Sequence, residues 1–154
     1  MKPRTIICDA NILIDYLNAG EDCLQAACEY AELVVPNVVL SEVRQLDMDT
    51  AGRLGIEVLE VPLDLLGKAG NRISGCSMQD TICFLLAKQK SWICATNDGK
   101  LRKQCLNESV KTVRGFRLLA DIVAAGCMSK QRAKQAGRQI AKKNREITEE
   151  ILAE

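Results

Sequence analysis

Residues 5–17 read TIICDANILIDYL, and a change of periodicity inside this stretch decides the fold class. Thr5–Cys8 is a continuous apolar run, which suits a strand covered on both faces, as in a parallel sheet flanked by helices. From Asn11 to Ala19 the apolar residues recur at helical spacing instead. Asp9 stands at the junction, at the carboxyl end of the expected strand. An acid that ends a buried strand has no evident local structural task, which makes Asp9 the first candidate for chemistry.

The same alternation continues outward. Asp22–Leu33 is helical in pattern, and Val34–Val35 closes a second short strand before Pro36. Asn37 is expected to cap a helix carrying Val39, Val43 and Leu46 on one face. Ile56–Val61 alternates apolar and acidic residues, as an edge strand does, and Pro62 opens a helix to about Ala69. Gly70 to Gly75 reads as a loop. Ser77 begins the clearest helix, SMQDTICFLLAKQK, and Trp92–Ala95 is the next buried strand. A helix over Lys100–Leu106, a strand near Val110–Val113 and a helix over Phe116–Ala125 follow. Such alternation predicts an α/β fold with a mainly parallel sheet and helices on both faces. Residues 1–128 are expected to form this domain, with 129–154 as a helical extension.

Composition bounds the function. The 154 residues, 47% apolar and 27% charged, fit one globular domain and exclude a disordered chain. No apolar run approaches the roughly 20 residues of a membrane helix. Asp9 and Asp15 interrupt the opening segment, so it does not read as a secretory leader, and the cytoplasm is the expected location. Eight cysteines occur without a C-x-x-C pair and without histidine, which argues against zinc and for thiols used as small buried apolar groups. Net charge is +1 but uneven: 6 basic and 13 acidic residues through Ala87 give −7, and 15 basic and 7 acidic from Lys88 give +8. That asymmetry suits an acidic site beside a surface able to meet a polyanion.

Four acids fall at informative places on this outline. Asp9 and Asp98 follow expected strands, while Glu42 and Asp80 sit in the early turns of expected helices. In open α/β sheets ligands bind outside the carboxyl ends of the strands, so all four point toward one edge. Each also has a plainer reading. Ser77-x-x-Asp80 matches a capping box, Asp98-Gly99 a turn or cap, and Glu42 a solvated helix position. Together they are harder to explain, since two unit charges about 5 Å apart repel by roughly 3 kcal/mol at an effective dielectric near 20. Arg44 and Lys100 are the nearest basic residues to Glu42 and Asp98, and none lies close to Asp9 or Asp80. An all-oxygen set without histidine favours Mg²⁺ or Mn²⁺, ions that support phosphodiester hydrolysis.

The segments CDANILIDYL, VPNVVLSEV, SMQDTICFLLAKQ and ICATNDGKLR, in this order and spacing, resemble the PIN-domain family of nucleases over roughly residues 4 to 126. The resemblance implies a three-layer α/β/α sandwich around a largely parallel sheet of about five strands. It implies Mg²⁺- or Mn²⁺-dependent endonucleolytic cleavage of RNA, with Asp9, Glu42, Asp80 and Asp98 holding metal. Asn11, Thr96 and Asn97 would be polar supports for those carboxylates. Many small PIN proteins resemble the toxins of toxin–antitoxin pairs, so a small antitoxin protein joins RNA among the partners implied. A catalytically silent PIN-like module that binds or scaffolds RNA is the rival reading. A D-x-D phosphatase lacks support, because Asp9-Ala10-Asn11 has no second nearby aspartate. A phospho-receiver would want paired acids after the first strand.

The stretch beyond Cys127 departs from the shortest toxin-like forms. Seven basic residues and no acid occupy Lys130 to Arg145, followed by Glu146, Glu149, Glu150 and Glu154. Ile140, Ile147 and Ile151 mark a narrow apolar stripe, and Lys142–Glu146 and Arg145–Glu149 have helix-stabilising spacing. A helix packed on its own domain, an RNA-backbone contact and a homodimer or partner helix all fit this pattern. One Trp, two Tyr and two Phe are too few for a base-stacking platform.

Overall fold

The computed structural model describes the backbone of residues 4–71 and 75–153, with side chains up to residue 145. The chain opens with β1 (Thr5–Cys8), α1 (Ala10–Ala19), α2 (Glu21–Tyr30) and β2 (Glu32–Pro36). It continues through α3 (Asn37–Leu40), α4 (Met48–Leu54), β3 (Glu57–Leu59), α5 (Leu63–Ala69) and α6 (Met78–Lys90). Then come β4 (Ile93–Ala95), α7 (Gly99–Asn107), β5 (Thr112–Val113), α8 (Gly115–Ala124) and α9 (Lys130–Ala153). The five strands line up as β3-β2-β1-β4-β5, and every pairing is parallel. Helices flank this sheet in a three-layer sandwich.

The continuous apolar runs become the central strands because both their faces are covered. Ile6, Ile7, Leu33, Val34, Val35, Cys94 and Ala95 are all buried. β3 lies at the sheet's edge with Glu57 exposed, as its alternating pattern predicts. One helical layer contains α1, α2 and α8, and α6 packs with α5 and α7 in the other. Seven cysteines are buried within the fold and Cys127 is partly so, and among the described residues none forms a disulfide. Among the described residues no helix is long and apolar enough to cross a membrane.

Helix α9 packs on α1 and α8, burying Ala136 and Ile140. Arg132 clamps it there, donating to both carboxylate oxygens of Asp22 (2.8 and 3.0 Å) and to the Ala19 carbonyl (2.7 Å). The expected contributions of Glu146, Ile147, Glu149, Glu150, Ile151 and Glu154 fall outside the described side chains.

Three local expectations change. The helix α2 stops at Tyr30, so Glu32 and Leu33 belong to β2, where they pair with Thr5 and Ile6. Pro36, extended at φ −65° and ψ 144°, takes the cap position expected for Asn37. The helix expected to run on through Val43 ends at Leu40. Beyond it the chain makes tighter turns, with Glu42 N–H donating to Val39 O (3.0 Å) and Val43 N–H to Leu40 O (2.9 Å). These turns still bury Val43 and Leu46, so the apolar pattern survives while Glu42 moves from a helix to the turn after one.

Candidate active site

The chain runs from β1 outward through β2 to β3, then crosses back to place β4 on the other side of β1. The crevice at the carboxyl ends of β1 and β4 is therefore the point where strand order reverses, the place ligands favour in open α/β sheets. Cys8 and Ala95 are in register, so the next residues, Asp9 and Thr96, leave the sheet side by side. The Asp9 amide donates to the Ala95 carbonyl (3.2 Å), and the Thr96 hydroxyl makes a short hydrogen bond to Asp9 Oδ2. Asp9 Oδ1 accepts from the Ile12 amide (3.0 Å). Asp9 thus caps α1, a local task that the sequence did not reveal.

Asp98 plays the same part for α7, its Oδ1 accepting from Lys100 and Leu101 amides, both at 2.9 Å. Thr96 joins the two acids, since its Oγ1 also accepts from the Asp98 amide (3.0 Å). Asp80 closes a capping box on α6: Ser77 Oγ accepts from the Asp80 amide (3.1 Å), and the Ser77 amide reaches Asp80 Oδ2 (3.5 Å). In each aspartate the cap bonds engage one carboxylate oxygen.

A cleft of about 200 Å³ opens here, lined by Asp9, Asn11, Glu42 and Asp80, with Ser77 and Gln79 beside them. Asp98 lies outside this lining yet acts on Asp9 electrostatically. Asp9 is 4% exposed. Burial pushes its carboxyl up to about 6, against the hydrogen bonds from Thr96 and Ile12, and the charges of Asp80 and Asp98 push it further up. Glu42 is raised by burial and by Asp80. Larger hollows of about 510 and 460 Å³ around Arg4 and Lys111 are each lined by a single carboxylate, and one of about 430 Å³ beside β3 is lined by Glu32, Glu57 and Glu60, away from the strands' point of reversal.

Among the described residues no three carboxyl or thiol groups stand close enough together to chelate an ion. The acids share a cleft and feel one another's charge without closing on a common point. The donor chemistry nevertheless fits a hard divalent cation: carboxylate oxygens, a buried acid raised by its neighbours, and no histidine in the chain.

The expected supporting residues separate. Asn11 lines the cleft and Thr96 holds Asp9. Asn97 instead accepts from the Gly115 amide (2.9 Å) and so fixes the start of α8. Tyr16 completes that anchor by donating to the Gly115 carbonyl (2.7 Å), a contact across 99 residues for which the sequence holds no local signal. Gln79 also lines the cleft, and its one signal in the sequence is its place in the first turn of the capped helix.

No protein-family model and no curated protein matches the sequence. Solved structures do match in shape. A PilT N-terminus domain protein, SSO1118 from the hyperthermophilic archaeon Sulfolobus solfataricus, aligns with TM-score 0.56 at 11% identity, covering 77% of this chain and 93% of that one. The protein PAE2754 from Pyrobaculum aerophilum aligns with TM-score 0.52 at 19% identity, covering 79% and 96%. At these identities the likeness concerns the fold.

Proposed function

This chain has the PilT N-terminus, or PIN, domain fold, and on that premise we propose that it is a divalent-metal-dependent endoribonuclease. The observation that carries the reading is Asp9: an acid buried at the strand-order reversal, sharing a cleft with two further carboxylates and feeling a fourth. Asp9, Glu42, Asp80 and Asp98 would hold Mg²⁺ or Mn²⁺. When bound, such an ion activates water for attack on a phosphodiester and stabilises the leaving oxygen.

The chain's own groups prepare the site. Thr96 and the Ile12 amide each hold one oxygen of Asp9 and so fix its carboxylate plane. A cation held in the cleft would favour the ionised form of Asp9 and so oppose the rise that burial and the neighbouring acids cause. Asn11 and Gln79 offer amide groups to a phosphate or ribose at the cleft wall. Calorimetric Mn²⁺ titration, paired with cleavage of structured and unstructured RNAs, tests the reading in wild type, Asp9→Asn and Asp80→Asn. Wild type should bind and cleave, and each variant should lose at least tenfold in metal affinity. Cleavage that persists in both variants would sink the mechanism.

A second reading, a silent RNA-binding or scaffolding module, is favoured by the acids not standing within chelating reach of one point. Absence of Mn²⁺ heat at millimolar concentration would select it. A toxin role is the narrower form of the enzymatic proposal. It predicts growth arrest on induced expression, relieved by the product of a small adjacent reading frame.

A further inference from the structure

Over its described side chains, Lys130 to Arg145, helix α9 turns one face to the domain and another to solvent. Ala136 and Ile140 face α1 and α8, and Arg132 is engaged by Asp22 and Ala19. Five of the six other cations on α9 fall into order, with Lys143 standing apart. Lys130, Lys134, Arg138, Lys142 and Arg145 are all exposed and follow one another at intervals of three or four residues. At 3.6 residues per turn they occupy a stripe about 120° wide, and at 1.5 Å per residue they extend about 22 Å along the axis. Among the described residues none of them enters an ion pair: the four pairs involve Arg53, Lys88, Arg117 and Arg132.

Phe116 borders this stripe. It sits in the first turn of α8, 55% exposed, and its ring lies against Gly137, where an added Cβ would meet it at 3.7 Å. The same turn of α8 is tied to Asn97, next to Asp98. Phe116, at the border of the stripe, is thereby linked through Gly115 and Asn97 to the turn that carries Asp98.

We propose that this exposed face of α9, with the Phe116 ring beside it, is a docking track for single-stranded RNA that leads the strand to the cleft. Regularly spaced cations match a polyanionic backbone, and one exposed ring gives one base a stacking surface. A protein partner would want an apolar seam. Among the described residues, Phe116 is the one large exposed apolar side chain on α8 and α9. The purpose of docking rests on the ribonuclease reading, but the binding does not.

The test is fluorescence anisotropy with a labelled single-stranded oligouridylate in EDTA, across a salt series. Replacing three stripe cations (K130Q, K134Q and R138Q together) should weaken binding and reduce the salt slope by about 2, at roughly 0.7 per cation for single strands. F116A should weaken binding by at least about fivefold with the slope unchanged, and F116W should restore it. Thermal melts establish that the variants are folded. Wild type that docks RNA through the stripe in EDTA but does not cleave it once Mn²⁺ is supplied would sink the enzymatic reading alone. An unchanged slope in the triple variant overturns the docking track. So does displacement of the oligonucleotide by oligo-aspartate at equal charge, which would assign the stripe to an acidic protein instead.

Discussion

Asp9 does two jobs whose demands conflict, capping a helix and carrying a charge where water is scarce. Its pKa rises from the ordinary 3.8 to about 6, so the folded chain holds that proton more tightly than the unfolded one. The stability this gives is full below about pH 4 and is lost as pH rises through 6. Metal-free wild type should lose up to about 3 kcal/mol across that window from this group, and Asp9→Asn should show a shallower slope, keeping the share of Glu42 and Asp15, which burial also raises. Urea unfolding in EDTA between pH 4 and 8 checks this. Parallel profiles for the two proteins would contradict it. Thr96, fully buried, is the partner that limits the cost. Thr96→Val keeps the shape but removes a donor from Asp9 and an acceptor from the Asp98 amide. It should destabilise by about 1–3 kcal/mol at pH 7 and steepen the same pH dependence.

At the scale of elements, the acids are where they are because helices begin there. Asp9, Ser77 and Asp98 each accept from an amide in the first turn of α1, α6 and α7. Ser77→Ala should cost about 1 kcal/mol in chemical denaturation, with Asp80 still able to reach the backbone of residue 77. A loss near zero would mean that the capping box contributes little to α6. Helix α9 carries the opposite opportunity. Gly137 lies in its interior, and a Cβ would make only ordinary contact with Phe116. Gly137→Ala should therefore stabilise by about 0.5–1 kcal/mol, read as a higher melting temperature.

For the whole molecule, the question is whether α9 belongs to the cooperative unit. Ile140 is 4% exposed between α9 and the layer formed by α1 and α8. Ile140→Asp would place a charge without a designed partner in that seam and should cost more than about 3 kcal/mol. Amide exchange should then show α9 unprotected while the β1 and β4 amides remain slow. Unaltered protection along α9 would mean that the helix is held by Arg132 and its neighbours without the apolar contact. The charge asymmetry acts at this scale too. The mostly acidic half supplies Asp9, Glu42 and Asp80, while the basic half supplies Asp98 and the stripe on α9.

The sequence by itself determined the strands, because a strand covered on both faces must be apolar without interruption, as Ile6-Ile7-Cys8 and Ile93-Cys94-Ala95 are. It also placed Asp9 and Asp98 at strand ends and Ser77 and Asp80 at a helix start, since these follow from local periodicity and capping. It misread the Glu42 segment, because buried Val43 and Leu46 fit tight turns as well as they fit a helix. Only the tertiary structure decided that Thr96 would hold Asp9 across 87 residues, that Tyr16 would hold Gly115 across 99, and that α9 would lie along α1 and α8. Those contacts depend on strand order and parallel register, which arise from the packing of all the layers together and leave no repeating mark in the chain.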